Sequence, residues 1–285
     1  MVTDRNNSTA AVQGWDPDSV KRSPMFAPLA GVVARLPQSY WPDVEVLNRM
    51  LELRDRPVTN ACGAPIRFVT QVGKPACFEE EFEPRTFLRG EVLVRSENWH
   101  DLFNALVWIT FPKTKAVINA RHYGLARARK SRQRTPAGDA LTHFDEDGAV
   151  VISSSGQLLD LLRRFRWLDL FRDHRDAVKS EMRFLLFGHA MYEKALRPFV
   201  GITAKSILLQ VPEAVLNLDD ALLNEEIDQR IAAYVSDPAR LKRGKTLAPL
   251  PVLGVPGWWP PNERLDFYDD ASYFRPGRLD GGPSE

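Results

Sequence analysis

The stretch Ser96-Glu97-Asn98-Trp99-His100-Asp101-Leu102-Phe103-Asn104-Ala105-Leu106-Val107-Trp108 opens on three polar residues and then, from Trp99 onward, sets His100, Asp101 and Asn104 in an otherwise apolar run. Ser96 is expected to cap a helix over Asn98–Ile109, with Glu97 in its first turn favouring the positive dipole end. Apolar residues surround that helix almost completely, which marks it as buried. His100 and Asn104 are four residues apart and share a face, with Asp101 one step round. Buried polar groups need partners. The three residues therefore either form an internal hydrogen-bond network or line a pocket.

Working outward, Met25–Leu36 reads as the first packed segment. Asp43 caps a helix with Val46, Leu47, Met50 and Leu51 on one face. Ile66–Gln71 and Val92–Arg95 read as short strands. Pro112 opens a further helix that runs to about Lys130. A hairpin is expected across Leu141–Ile152, turning at Asp145-Glu146-Asp147-Gly148, because Asp-Gly tolerates positive φ. Gln157–Phe165 is amphipathic. Arg183–Phe187 and Ser206–Gln210 read as strands, His189–Leu196 as a helix, and Asp219 as the cap of a long one. Beyond Pro238 the chain is rich in Pro and Gly, yet it carries Trp258, Trp259, Phe267, Tyr268, Tyr273 and Phe274, which are expected to bury against the body. The fold class is α+β: one mostly helical domain over residues 25–276 with short strands and hairpins. A flexible arm (1–24) and tail (277–285) flank it, and a Pro/Trp-rich C-terminal segment wraps over it.

Composition narrows the function. Of 285 residues, 44 % are hydrophobic and 26 % charged, which excludes a disordered chain. Lys+Arg number 38 against 37 Asp+Glu, so the net charge of +1 provides no global attraction to nucleic acid or anionic lipid. The start has no apolar signal segment, no run is long enough to span a membrane, and Cys62 and Cys77 lack metal-type spacing. A soluble, cytoplasmic protein with no membrane partner is expected. No Walker A loop, dinucleotide fingerprint, nucleophile elbow or His-Glu-x-x-His motif is present.

Four clusters remain. His189 and Glu193 are cofacial at the start of a helix that follows Phe187-Gly188, a pairing suited to a metal or to acid–base work. Lys115, Asn119 and His122 share a face of the helix opened by Pro112. Lysine opposes the dipole there, and a bound anion, phosphate being the usual one, would relieve the conflict. His143-Phe144-Asp145-Glu146-Asp147-Gly148 offers three adjacent carboxylates but reads as a turn, not as a phosphatase or calcium loop. Residues 121–134 carry six Lys/Arg and no acid, a footprint for weak, non-specific nucleic-acid binding or a solvated helix end.

The blocks Glu97-Asn98-Trp99-His100-Asp101-Leu102-Phe103-Asn104-Ala105-Leu106 and Phe111-Pro112-Lys113-Thr114-Lys115 resemble the bacterial "domain of unknown function 3025" family. So do Phe144-Asp145-Glu146, Gly188-His189-Ala190 with Glu193-Lys194, Gly254-Val255-Pro256-Gly257-Trp258-Trp259 with Asn262, and Phe267-Tyr268-Asp269-Asp270. The resemblance covers roughly residues 25–276 and implies a single folded unit with no assigned chemistry.

The residues themselves suggest a hydrolase-like enzyme. His100, Asp101, His189 and Glu193 form the catalytic set. His100, His189 and Glu193 hold a divalent metal. Asn104, Lys115, Asn119 and His122 bind a small anionic ester or phosphoester. The alternatives are a nucleic-acid or ribonucleoprotein accessory factor acting through 121–134, and a non-catalytic ligand- or partner-binding protein.

Overall fold

A central strand organises the molecule. In the computed structural model, which describes residues 14–128 and 135–275, Gly148–Ser153 (β3) is buried along its whole length. Such a continuous apolar strand belongs inside a sheet covered on both faces. It pairs in parallel with Thr203–Gln210 (β5), Val150 opposite Ile207, and antiparallel with Met182–Leu186 (β4), Val150 opposite Leu185. Ala248–Pro251 (β6) closes the order β4-β3-β5-β6 by pairing antiparallel with β5. This strand is not among the expected ones; it carries two prolines in four residues, which an edge position tolerates. Arg67–Thr70 (β1) and Glu91–Val94 (β2) form a separate parallel pair.

Helices supply the rest of this single α+β domain: Val44–Glu52 (α1), Phe82–Arg89 (α2), Trp99–Thr110 (α3), Pro112–Arg127 (α4), Pro136–Asp147 (α5), Gly156–Arg163 (α6), Arg175–Glu181 (α7), His189–Ala195 (α8) and Asp220–Ser236 (α9). α3 buries ten of its twelve residues, as its composition predicts. Its cap is Asn98, not Ser96. The Asn98 side chain accepts from the Asp101 amide, and Glu97 ahead of it takes a positive φ of 53° that sets the turn. The hairpin expected at 141–152 is absent. Thr135 caps α5, Pro136 opens it, and the helix continues through Asp145-Glu146-Asp147 directly into β3.

The reason is steric. Gly148 has an ordinary extended backbone, φ −72° and ψ 148°, so its glycine is not a turn signal. A Cβ there would lie 2.0 Å from the Phe144 carbonyl oxygen, and one on Gly188 would lie 2.2 Å from that of Glu146. The amides of Phe187 and Gly188 both donate to the Gly148 carbonyl. Gly148 lets the chain pass from the last turn of α5 straight into β3, and Gly188 lets the start of α8 approach the end of α5 closely.

The start of α4 answers the anion expectation differently. The buried Asp228 carboxylate, on α9, accepts from the amides of Lys113 (3.0 Å) and Thr114 (2.8 Å), and the Thr114 hydroxyl donates to the Asp228 carbonyl. A side chain of this chain occupies the position assigned to phosphate. Asp228→Ala strands the buried Thr114 amide and frees that of Lys113, and is expected to cost about 2 kcal/mol in urea unfolding; a loss under about 0.5 kcal/mol would deny it the capping role.

The C-terminal segment wraps as expected. Asn262 donates to the carbonyls of Leu253 and Val255, Tyr268 Oη donates to that of Gly254, and Tyr273 Oη bridges the Leu253 amide and the Ile202 carbonyl. Trp258 is buried against Phe184, while Trp259 is half-buried. At the other end, packing begins before residue 25: Trp15 stacks on Trp99 at 5.2 Å and Val20 is buried. Residues 1–13 and 276–285 lie outside the described residues. Among those described, no helix is long and apolar enough to cross a membrane.

Candidate functional site

Three elements meet at one point. α8 packs on α3 and on α5, which brings the first turn of α3 (His100), the first two turns of α8 (His189, Glu193) and the last turn of α5 (Asp145, Glu146) together. His100 Nε2 lies 3.1 Å from His189 Nε2. Glu146 Oε2 is 3.8 Å from the first nitrogen and 3.4 Å from the second. Among the described residues, these three are the group whose ligating atoms converge in this way. The edges define a triangle whose circumcentre is about 2.0 Å from each atom, within the ~2.0–2.2 Å range of zinc bonds to histidine nitrogen and carboxylate oxygen.

Each histidine has its second nitrogen turned toward a carboxylate. Glu193 Oε2 lies 3.1 Å from His100 Nδ1. This corrects the expected ligand set. Nδ1 and Nε2 point away from opposite sides of the ring, so a carboxylate bonded to Nδ1 does not share a cation with Nε2. Glu193 stands behind the ring instead, and Glu146 Oε2 is the carboxylate oxygen that converges with the two Nε2 atoms. Behind His189, Asp145 Oδ2 is 3.9 Å from Nδ1, and Asp145 Oδ1 accepts from Lys115 Nζ at 2.5 Å.

Burial and charge set the protonation states. His189 is buried, which pushes its pKa down to about 3 and leaves the ring neutral. The Glu193 hydrogen bond raises that of His100 against the opposing effect of burial. Burial raises Glu146. Burial works to raise Asp145 too, but the Lys115 ammonium, by charge and hydrogen bond, holds it below its ordinary value. Glu83, on α2, belongs to the same electrostatic network. Its Oε2 accepts from Asn119 Nδ2 at 2.5 Å, and burial pushes its pKa up to about 7. A carboxyl raised on folding contributes stability fully below the unfolded pKa and loses it as pH rises through the folded one. Stability should therefore fall between about pH 4.5 and pH 7 by about 3 kcal/mol. Glu83→Gln, which keeps the acceptor for Asn119, should remove that slope in urea midpoints; an unchanged slope would assign it to other groups.

Several expected site residues stand elsewhere. Asp101 accepts from the Arg95 amide and from its guanidinium at two points, each 2.8 Å, and so ties β2 to α3. It lies a step round the helix from His100 and acts on that ring through its charge alone. Lys115 and Asn119 are buried and committed to Asp145 and Glu83, so neither presents a group to an incoming anion. Asn104 is buried one turn along α3 from His100, and His122 acts on Asp145 through its charge. Of the basic run, Arg121 donates to the Val235 carbonyl in the last turn of α9, and residues 129–134 lie outside the described residues.

Asp145, Glu146 and Glu83 were not among the expected site residues. The spacing of Ala140, Leu141 and Phe144, with Thr135-Pro136 ahead, is a helical signal that carries Asp145 and Glu146 to the end of α5. The model of a family described as "Protein of unknown function (DUF3025)" matches residues 66–278. The chain belongs to that family. The matched span contains both histidines, Glu146, Glu193, the Lys115–Asp145 pair and Glu83. No curated protein and no solved structure matches the chain.

Proposed function

We propose that this member of the family is a divalent-metal-dependent hydrolase of ester or phosphoester bonds, built on His100, His189 and Glu146. The observation that carries the reading is the triangle of Nε2, Nε2 and Oε2 with a common centre at about 2.0 Å, as for zinc. Two imidazoles and one carboxylate are a donor set that catalytic zinc uses while keeping a further position open. The side chains on the outer side of the triangle are open to solvent, His100 at 31 %, Glu146 at 37 % and Glu193 at 43 %, whereas that of His189 is 6 % exposed. Substrate thus approaches past Glu146 and Glu193.

When bound, the cation supplies Lewis acidity and a nucleophilic water. Glu193 fixes the His100 ring so that Nε2 faces the site. The neutral state of His189, imposed by its burial, leaves a ring nitrogen free to ligate at neutral pH. The cations near the site are paired, Lys115 with Asp145, Lys194 with Asp147, and Arg95, whose charge reaches Glu193, with Asp101. Electrostatics at the open face therefore favour a cation before any anionic substrate. The test is turnover of 4-nitrophenyl acetate and bis(4-nitrophenyl) phosphate by zinc- and manganese-loaded protein. The reading expects hydrolysis that chelator abolishes and that Glu146→Gln lowers by at least tenfold. Rates indifferent to chelator on both substrates would refute it.

A further inference from the structure

We propose that Lys115 and Asp145 form a positioning pair for His189, the counterpart of Glu193 at His100; the inference rests on the metal reading above. His189 Nδ1 is buried and no acceptor meets it at hydrogen-bond geometry, although the Asp145 main chain lies near enough to act on the ring. When Nε2 ligates a cation, the ring proton sits on Nδ1, and a buried N–H without an acceptor costs on the order of 1–3 kcal/mol. The nearest carboxylate oxygen is Asp145 Oδ2 at 3.9 Å. A ring or side-chain shift of about 1 Å makes it a hydrogen bond.

Lys115 explains why that carboxylate stays in place. Its side chain is 4 % exposed and that of Asp145 14 %. Burying an ion pair rarely adds stability over apolar residues of the same size, so stability alone gives little reason for this one. Its geometry supplies another. Lys115 takes Asp145 Oδ1 and leaves Oδ2, the oxygen facing His189, as the acceptor. The Lys115–Asp145–His189 chain and the Glu193–His100 pair then place a carboxylate behind each histidine, an outer arrangement that fixes ring orientation and raises ligand strength.

The test uses the double variant Lys115→Met/Asp145→Leu, which removes both charges together and leaves neither ion stranded. Zinc affinity is read by competition with a fluorescent chelator, and melting is read on metal-stripped protein. The pair's role predicts a Kd weakened ~10–100-fold with stripped melting within a few degrees of the parent. A Kd within about twofold of the parent would overturn the inference and leave the metal reading standing. Parental protein that binds no zinc would overturn the metal reading, and the pair's role with it. Should the double variant fail to fold, imidazole 15N–1H spectra of zinc-loaded parental protein decide the matter. A protected, low-field Nδ1–H on His189 supports the pair, and an unprotonated Nδ1 refutes it.

Discussion

Metal-stripped protein is expected to melt below the same protein with zinc, and the difference should vanish in His100→Ala and in His189→Ala. A ligand held only by the folded state at one hundred times its Kd adds about 2.7 kcal/mol. For a chain of this size that is on the order of 5–10 °C. The stripped variants are informative in themselves. A histidine kept only for packing should cost stability when deleted, because its removal strands partners or leaves a cavity. In the stripped parent, two histidines and two half-exposed carboxylates crowd together without a cation, so His100→Ala should cost little or even stabilise. Coincident melts with chelator, zinc, manganese and magnesium would remove the metal from the account.

Ending the chain after Val255 is expected to abolish folding. The lost segment buries Trp258, Tyr268, Tyr273 and Phe274, and removing a buried aromatic typically costs about 3–5 kcal/mol. Four such losses, about 12–20 kcal/mol, match or exceed the ~5–15 kcal/mol of a folded domain. The truncation also frees the carbonyls of Ile202, Leu253, Gly254 and Val255 from the Asn262, Tyr268 and Tyr273 side chains that bond them. Near-UV circular dichroism should show no fixed aromatic environment in the truncated chain. A truncated protein that melts at the parental temperature would refute the wrapped-segment reading.

Much of this was readable because the relevant signals are local. The Trp99–Trp108 run declares a buried helix, and the pairs His100/Asn104 and His189/Glu193 declare faces. Two polar faces on largely apolar helices must find each other or leave groups unpaired, which is why His100, His189 and Glu193 converge. What the sequence conceals is long-range. Asp147-Gly148 has the composition of a tight turn, but the glycine answers to space and not to φ: a Cβ there would meet the Phe144 carbonyl, and the segment packed against this junction, at Gly188, lies forty residues away. That misreading hid Asp145 and Glu146. Lys115 likewise reads as an anion binder from its place at a helix start; its actual partner arrives from α5, and the helix's own amides are met by Asp228 from α9. Nothing local distinguishes a carboxylate supplied by the chain from one brought by a substrate.

The most direct test of the central claim is a crystal grown with zinc and measured at the zinc absorption edge. The account predicts one anomalous peak per chain about 2.0–2.2 Å from His100 Nε2, His189 Nε2 and a Glu146 carboxylate oxygen. His100 Nδ1 should still be on Glu193. A peak at any other place, or none at this triangle under saturating zinc, would contradict it.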